Sequence, residues 1–76
     1  MKYEEYKTEG EREQETIRHL INFKGQHGYS PSYSDLGRLM GISKGRVAQI
    51  IWNLEAKKII TKDGNKARTI RVLLKV

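Results

Sequence analysis

The segment Leu36-Gly37-Arg38-Leu39-Met40-Gly41-Ile42-Ser43-Lys44-Gly45-Arg46-Val47-Ala48-Gln49-Ile50 constrains the fold more than any other part of the chain. Leu36, Leu39 and Met40 carry the apolar spacing of a short helix. Gly41 interrupts it, because glycine lets the backbone turn sharply without a side-chain penalty. Ile42 follows as an apolar plug for the turn. Ser43 is a good N-cap, since its hydroxyl can accept from an otherwise unpaired amide at the start of the next helix. Val47, Ile50, Ile51 and Leu54 then repeat at the 3, 4, 7 spacing of a second apolar stripe. Gly37 is small where the later helix must approach the earlier one. Two helices joined this tightly read as a helix-turn-helix, which leaves the far face of its second helix uncovered.

The flanking residues extend the pattern. Thr8 and Glu11 have capping-box spacing, and a helix is expected from there to His27. Its apolar stripe is Ile17, Leu20 and Ile21, with Phe23 on the flank. Glu9, Glu11, Glu13 and Glu15 crowd its start, where the helix dipole favours negative charge. Gly28 is a natural stop. In Tyr29-Ser30-Pro31 the proline disfavours helix at the residue before it. Ser32 then caps a second helix over about Tyr33 to Met40, with Asp35 three residues on. The third helix is expected from about Lys44 to Lys58. Ile59-Ile60-Thr61-Lys62 favours a strand. Asp63-Gly64 predicts a tight hairpin turn. Ile70, Val72 and Leu74 would share one face of the returning strand. The expected fold is therefore mainly α with a small β-hairpin: a three-helix winged helix-turn-helix. Residues 1–7 are expected to be a flexible arm and 8–76 a single domain.

At 76 residues the core is small, and no cysteine is present to reinforce it. No apolar run approaches the roughly 20 residues of a membrane helix, so a soluble cytoplasmic protein with no membrane contact is the expectation. Charge is unevenly placed. Residues 1–15 hold three basic and six acidic side chains. Residues 16–76 hold twelve basic and only three acidic ones, Asp35, Glu55 and Asp63. That basic surplus attracts polyanions at long range. Enzyme chemistry finds no foothold. His19 and His27 are not at helical metal-ligand spacing, and no Ser/His/Asp set or phosphate-binding glycine loop is visible. No metal, cofactor or catalytic residue is expected.

The stretch Gly28-Tyr29-Ser30-Pro31-Ser32, the segment Leu36 to Ile42, the Val47 to Leu54 stripe, Leu54-Glu55-Ala56-Lys57-Lys58-Ile59-Ile60 and Ala67-Arg68-Thr69-Ile70-Arg71-Val72 together resemble the DNA-binding domain of the LexA repressor family. The resemblance runs from about Glu13 to Leu74. It implies a winged helix-turn-helix that reads a palindromic operator in double-stranded DNA. The family's second domain, with its self-cleaving Ser/Lys pair and most of the dimer contacts, has no counterpart in these residues, so self-cleavage is not carried over. The turn before the third helix is one residue shorter. The family's base-reading positions fall on Gly45, Arg46, Ala48 and Gln49, so the operator is not carried over either.

On this reading the helix capped by Ser43 enters the major groove and the wing, 59–74, lies on adjacent backbone. Arg46 can fork onto guanine and Gln49 onto adenine, or each can meet phosphate or solvent. Gly45 and Ala48 would let the helix sit deep, and Ala48 could touch a thymine methyl. Ser43 and Lys44, at the helix start, suit phosphate. Ser32, Tyr33 and Arg38 are candidates for a phosphate clamp from the second helix, with Tyr33 alternatively part of the core. Lys62, Asn65, Lys66 and Arg68 are the wing candidates; Asp63 is a turn residue. The third helix faces outward roughly through Gly45, Gln49, Trp52 and Ala56, so Trp52 lies off the core stripe. Packing beneath the hairpin, a DNA sugar and a partner surface are its three options, the first being favoured. Tight binding would call for a homodimer or a separate regulatory partner. The rival readings are a protein-interaction module built on Trp52 and Phe23, and a nonspecific nucleic-acid binder using charge alone.

Overall fold

The computed structural model describes residues 8–64 and 68–73. The expected arm over 1–7, together with Asn65, Lys66, Ala67 and Leu74, lies outside the described residues. Along the chain come α1 (Glu9–His27), α2 (Tyr33–Met40), α3 (Lys44–Ala56), β1 (Ile60–Thr61) and β2 (Arg71–Val72). Three helices and a two-stranded antiparallel hairpin make a winged helix-turn-helix.

The helix starts follow from local chemistry. At α1 the Glu11 amide donates to Thr8 Oγ1 at 3.1 Å while Thr8 N–H donates to Glu11 Oε1 at 2.8 Å. Ser32 and Asp35 make the same reciprocal pair at α2, each bond 3.1 Å. Each box satisfies an amide that the helix itself leaves unpaired. Ser43 caps α3 by accepting from the Arg46 amide at 3.1 Å.

The core lies where the three helices and the hairpin meet. It consists of Leu20, Leu36, Met40, Val47, Ile50, Ile51, Leu54, Ile60 and Ile70, with Ile17, Tyr33, Ile42, Ile59 and Val72 packed around it. Two expected core residues are elsewhere. Leu39 is 49% exposed and Ile21 is 48% exposed. In an eight-residue helix held on one side, Leu36 and Met40 complete the inner stripe, and Leu39 is rotated off it. Ile21 instead lines a shallow groove between α1 and the hairpin with Leu20, Ile70 and Val72.

Gly37 is required, but by the turn more than by the body of α3. A Cβ built on it would lie 2.8 Å from the Ile42 carbonyl oxygen, far inside van der Waals contact. That carbonyl belongs to backbone, so no side-chain rotation relieves the clash. Gly41 takes the left-handed conformation (φ 70°) that ends α2.

The third helix ends earlier than expected, at Ala56, with Lys57 as its cap. The Lys58 amide donates to Glu55 O and the Ile59 amide to Leu54 O, both at 3.0 Å. This is a Schellman closure, which usually places glycine at the left-handed position. Here Lys58 occupies it, at φ 62°.

The wing differs most from expectation. Ile60 pairs with Val72 and Thr61 with Arg71. A two-residue Asp63-Gly64 turn would have paired Thr61 with Lys66. The register is displaced by five positions, so residues 62–70 separate the strands. Asp63-Gly64 is only the start of that connection, where the Asp63 amide donates to Thr69 Oγ1 at 3.0 Å. The displacement buries Ile70 against the helices. Burial of the core outweighs the local preference of an Asp-Gly pair. The Leu73 amide continues the pairing to Ile59 O at 2.8 Å.

Candidate nucleic-acid interface

Helix α3 has three distinct sides. Val47, Ile50, Ile51 and Leu54 are fully buried. Opposite them, Gly45, Gln49, Trp52 and Ala56 are exposed. Ser43 and Lys44 are also exposed at the N-terminal end, where the first amides point away from the helix. Among the described residues, neither Lys44 nor Gln49 has a side-chain partner.

The third side faces α1 and is already occupied. Arg46 forks onto Glu9, with Nη2 at 2.7 Å from Oε1 and Nη1 at 3.4 Å from Oε2. Asn53 Nδ2 donates to the same carboxylate at 3.5 Å. One turn further along, Lys57 Nζ donates to both oxygens of buried Glu13, at 2.8 and 3.1 Å. The Arg46 guanidinium holds the Glu9 carboxyl below its ordinary value, with partial desolvation opposing it. The same bond raises the Arg46 value. The acidic start of α1 thus neutralises one flank of α3, beyond any effect on its own helix dipole. The pattern is readable in retrospect. Glu9 and Glu13 are spaced i, i+4, and Arg46, Asn53 and Lys57 are spaced i, i+7, i+11, so each set shares a helix face. Only the packing shows that the two faces meet.

Asp35 is a second hub, with roles beyond the capping that its spacing from Ser32 implies. It accepts from the Ser32 amide, from Arg38 Nη2 at 2.8 Å and from Arg68 Nη1 at 2.9 Å. Its carboxyl is held below the ordinary value chiefly by the Ser32 amide, with desolvation opposing and Ser32 Oγ and Arg68 adding support. Arg68 also donates to Ser30 O at 3.4 Å and lies 4.7 Å over the Tyr29 ring. Tyr29 stacks edge-on with Phe23, which in turn packs on His27. Phe23 is therefore half-buried in a small aromatic cluster. Buried Ser30 closes the arrangement by donating to the Ile70 carbonyl.

The remaining sequence-derived candidates fall as follows. Ser32 is committed to its cap, and Tyr33 is half-buried against the core. Arg38 is anchored at one nitrogen but its side chain is 75% exposed. Lys62 Nζ donates to Gly64 O at 2.9 Å and lies 3.9 Å from Glu55. Arg68 is a tether between wing and α2. Lys66 lies outside the described residues. Trp52 is 69% exposed, so it does not pack beneath the hairpin. The reason is its place on α3: with Val47, Ile50, Ile51 and Leu54 turned into the core, Trp52 falls on the face it shares with Gly45, Gln49 and Ala56.

No helix among the described residues is long and apolar enough to cross a membrane. The described residues contain no cluster of three or more His, Cys, Asp or Glu able to hold a metal ion.

The class defined by these elements is a winged helix-turn-helix domain with an uncovered third-helix face. In sequence, the chain is similar to the LexA repressor of Koribacter versatilis (strain Ellin345): 41% identical over 63 residues, which is 82% of this chain. This bears out the LexA resemblance read from the sequence. The chain spans about 30% of that repressor's length. No family model matches the chain.

Proposed function

We propose that the chain is a sequence-selective module that binds double-stranded DNA within a transcriptional regulator. The observation that carries this reading is the outward face of α3, uncovered from Ser43 to Ala56 on a domain whose residues 16–76 are strongly basic. Its similarity to a protein named as a repressor supports it. The helix would enter the major groove by its N-terminal end, with Ser43 and Lys44 at phosphate and Gln49 at a base edge. Gly45 permits close approach. Arg46 would exchange its Glu9 carboxylate for DNA. Arg38, beside Ser32 and Tyr33, would reach backbone from α2, and Lys62, Lys66 and Arg68 would lie along the wing. An isolated module presents a small interface, so high affinity would come from a second copy or a regulatory partner on a two-fold site.

Selection of bound duplexes from a random pool tests the reading. Enrichment of one motif is the expected result. Affinity for the selected duplex should exceed that for a scrambled one at every salt concentration. Equal affinities with a common steep salt slope would mean binding by charge alone. No binding at low salt would remove nucleic acid from consideration.

A further inference from the structure

We propose that Trp52 is a DNA contact, its indole closing on the apolar C–H surface of the duplex at the edge of the major groove. The proposal rests on the reading of α3 as the groove-entering helix. Trp52 is the only tryptophan in the chain and is 69% exposed. A small domain with a marginal core gains by burying its largest aromatic side chain. This one is turned away from a core whose neighbouring positions, Ile51 and Leu54, are fully buried. Exposure at this site therefore costs apolar burial that the fold itself does not recover.

Position along the helix gives the indole its counterpart. Gly45, Gln49, Trp52 and Ala56 share one face, since residues separated by three, four or seven positions align. Trp52 lies about 10 Å along the axis from Gly45 and about 4.5 Å from Gln49, at roughly 1.5 Å per residue. Gly45 and Ala48 carry almost no bulk, so the first turns can approach the bases closely. The major groove is about 12 Å wide and a helix with side chains nearly fills it. A bulky group two turns from the inserted end then meets the groove wall, where deoxyribose C–H groups and thymine methyls are exposed.

A protein partner fits the surroundings less well. Among the described residues the other large exposed hydrophobic side chains, Ile21, Tyr29, Leu39 and Leu73, lie on α1, on the α1–α2 connection, on α2 and after β2; none is on α3. Around Trp52 the face holds Gly45, Ala48, Gln49, Asn53 and Ala56. A stable protein interface needs on the order of 800 Å² per partner around such an anchor. A lone aromatic group among small and polar residues suits a narrow groove edge.

The single tryptophan is its own reporter. The selected duplex should change the Trp52 emission saturably, in step with the anisotropy of a labelled copy of that duplex. Trp52→Ala should weaken duplex binding about five- to tenfold with an unchanged melting temperature, and Trp52→Phe should restore most of the loss. Replacing each thymine of the duplex by deoxyuridine, which lacks the methyl group, separates the two sources. A single position whose penalty disappears in Trp52→Ala identifies a thymine methyl; penalties unaltered by the substitution identify deoxyribose. Duplex binding by anisotropy with constant emission, and equal affinity for Trp52→Ala, would overturn the proposal while leaving the DNA reading intact. An emission change produced by concentrating the protein without DNA would assign Trp52 to self-association and overturn it. Absence of any anisotropy change at low salt would overturn the DNA reading and this proposal together.

Discussion

The two junctions that hold α3 in place are built on different physics. Upstream, α2 meets α3 through Gly41-Ile42-Ser43, and the fit is steric: the Ile42 carbonyl oxygen lies 2.8 Å from where a Cβ on Gly37 would be. Its amide also donates to Gly37 O at 3.0 Å. Downstream, buried Ile60 and Ile70 seat the wing in the core, and charge adds a second hold, through Arg68 to Asp35 and Lys62 to Glu55. A steric joint is indifferent to salt and pH. An electrostatic tether answers to both. The fit between the two helices of the motif thus rests on steric contact, while the hold on the wing has an electrostatic part in addition to its buried residues.

The largest test of this contrast is Gly37→Ala. The added methyl meets the backbone of the Ile42–Lys44 segment, so a loss of about 3 kcal/mol is expected, at the upper end of overpacking costs. Urea denaturation measures it, and the loss should be the same at low and high salt. A cost below about 0.5 kcal/mol would mean that the turn is not tightly fitted, since ordinary surface changes fall in that range.

Arg68→Ala should cost less, about 1 kcal/mol, because the ion pair is partly solvated and screened. Here the loss should shrink as salt is added. The carboxylate at the other end of that ion pair, held chiefly by the Ser32 amide and in part by Arg68, should respond to acid. The Asp35 carboxyl is depressed in the folded protein relative to 3.8. Its contribution is therefore fully present above that value and is lost as pH falls through the lower folded value. Comparing Asp35→Asn with the parent chain between pH 5 and pH 2 checks this; the parent should lose more stability over that range. A flat difference would show that Asp35 is not coupled to the fold.

Lys58→Gly should move in the opposite direction. It removes the side-chain penalty of a left-handed residue at the α3–wing junction, and a gain of about 0.5–1 kcal/mol in thermal denaturation is expected. No gain would imply that the lysine has a compensating contact. The smallest effect on stability belongs to Glu9→Gln, about 0.3 kcal/mol for an exposed pair. Its effect on duplex affinity should be larger. Release of Arg46 should tighten binding a few-fold at low salt, and weaker binding would instead make Glu9 a support that orients Arg46.

Much of the helical half was legible in the sequence because its signals are local. Thr8 with Glu11, Ser32 with Asp35 and Ser43 with the Arg46 amide each act over three residues, and the Val47 to Leu54 stripe acts over two turns. The same locality made the outward face of α3 readable at Gly45, Gln49, Trp52 and Ala56. What the tertiary structure decided are the relations between distant segments. The displaced strand register overrode Asp63-Gly64, because burying Ile70 is worth more than a favoured turn. Leu39 was turned outward by the packing of its neighbours. Arg46 was given a carboxylate partner 37 positions away. A side chain's type and spacing set which helix face it occupies; which element covers that face depends on how the whole chain closes around a small core.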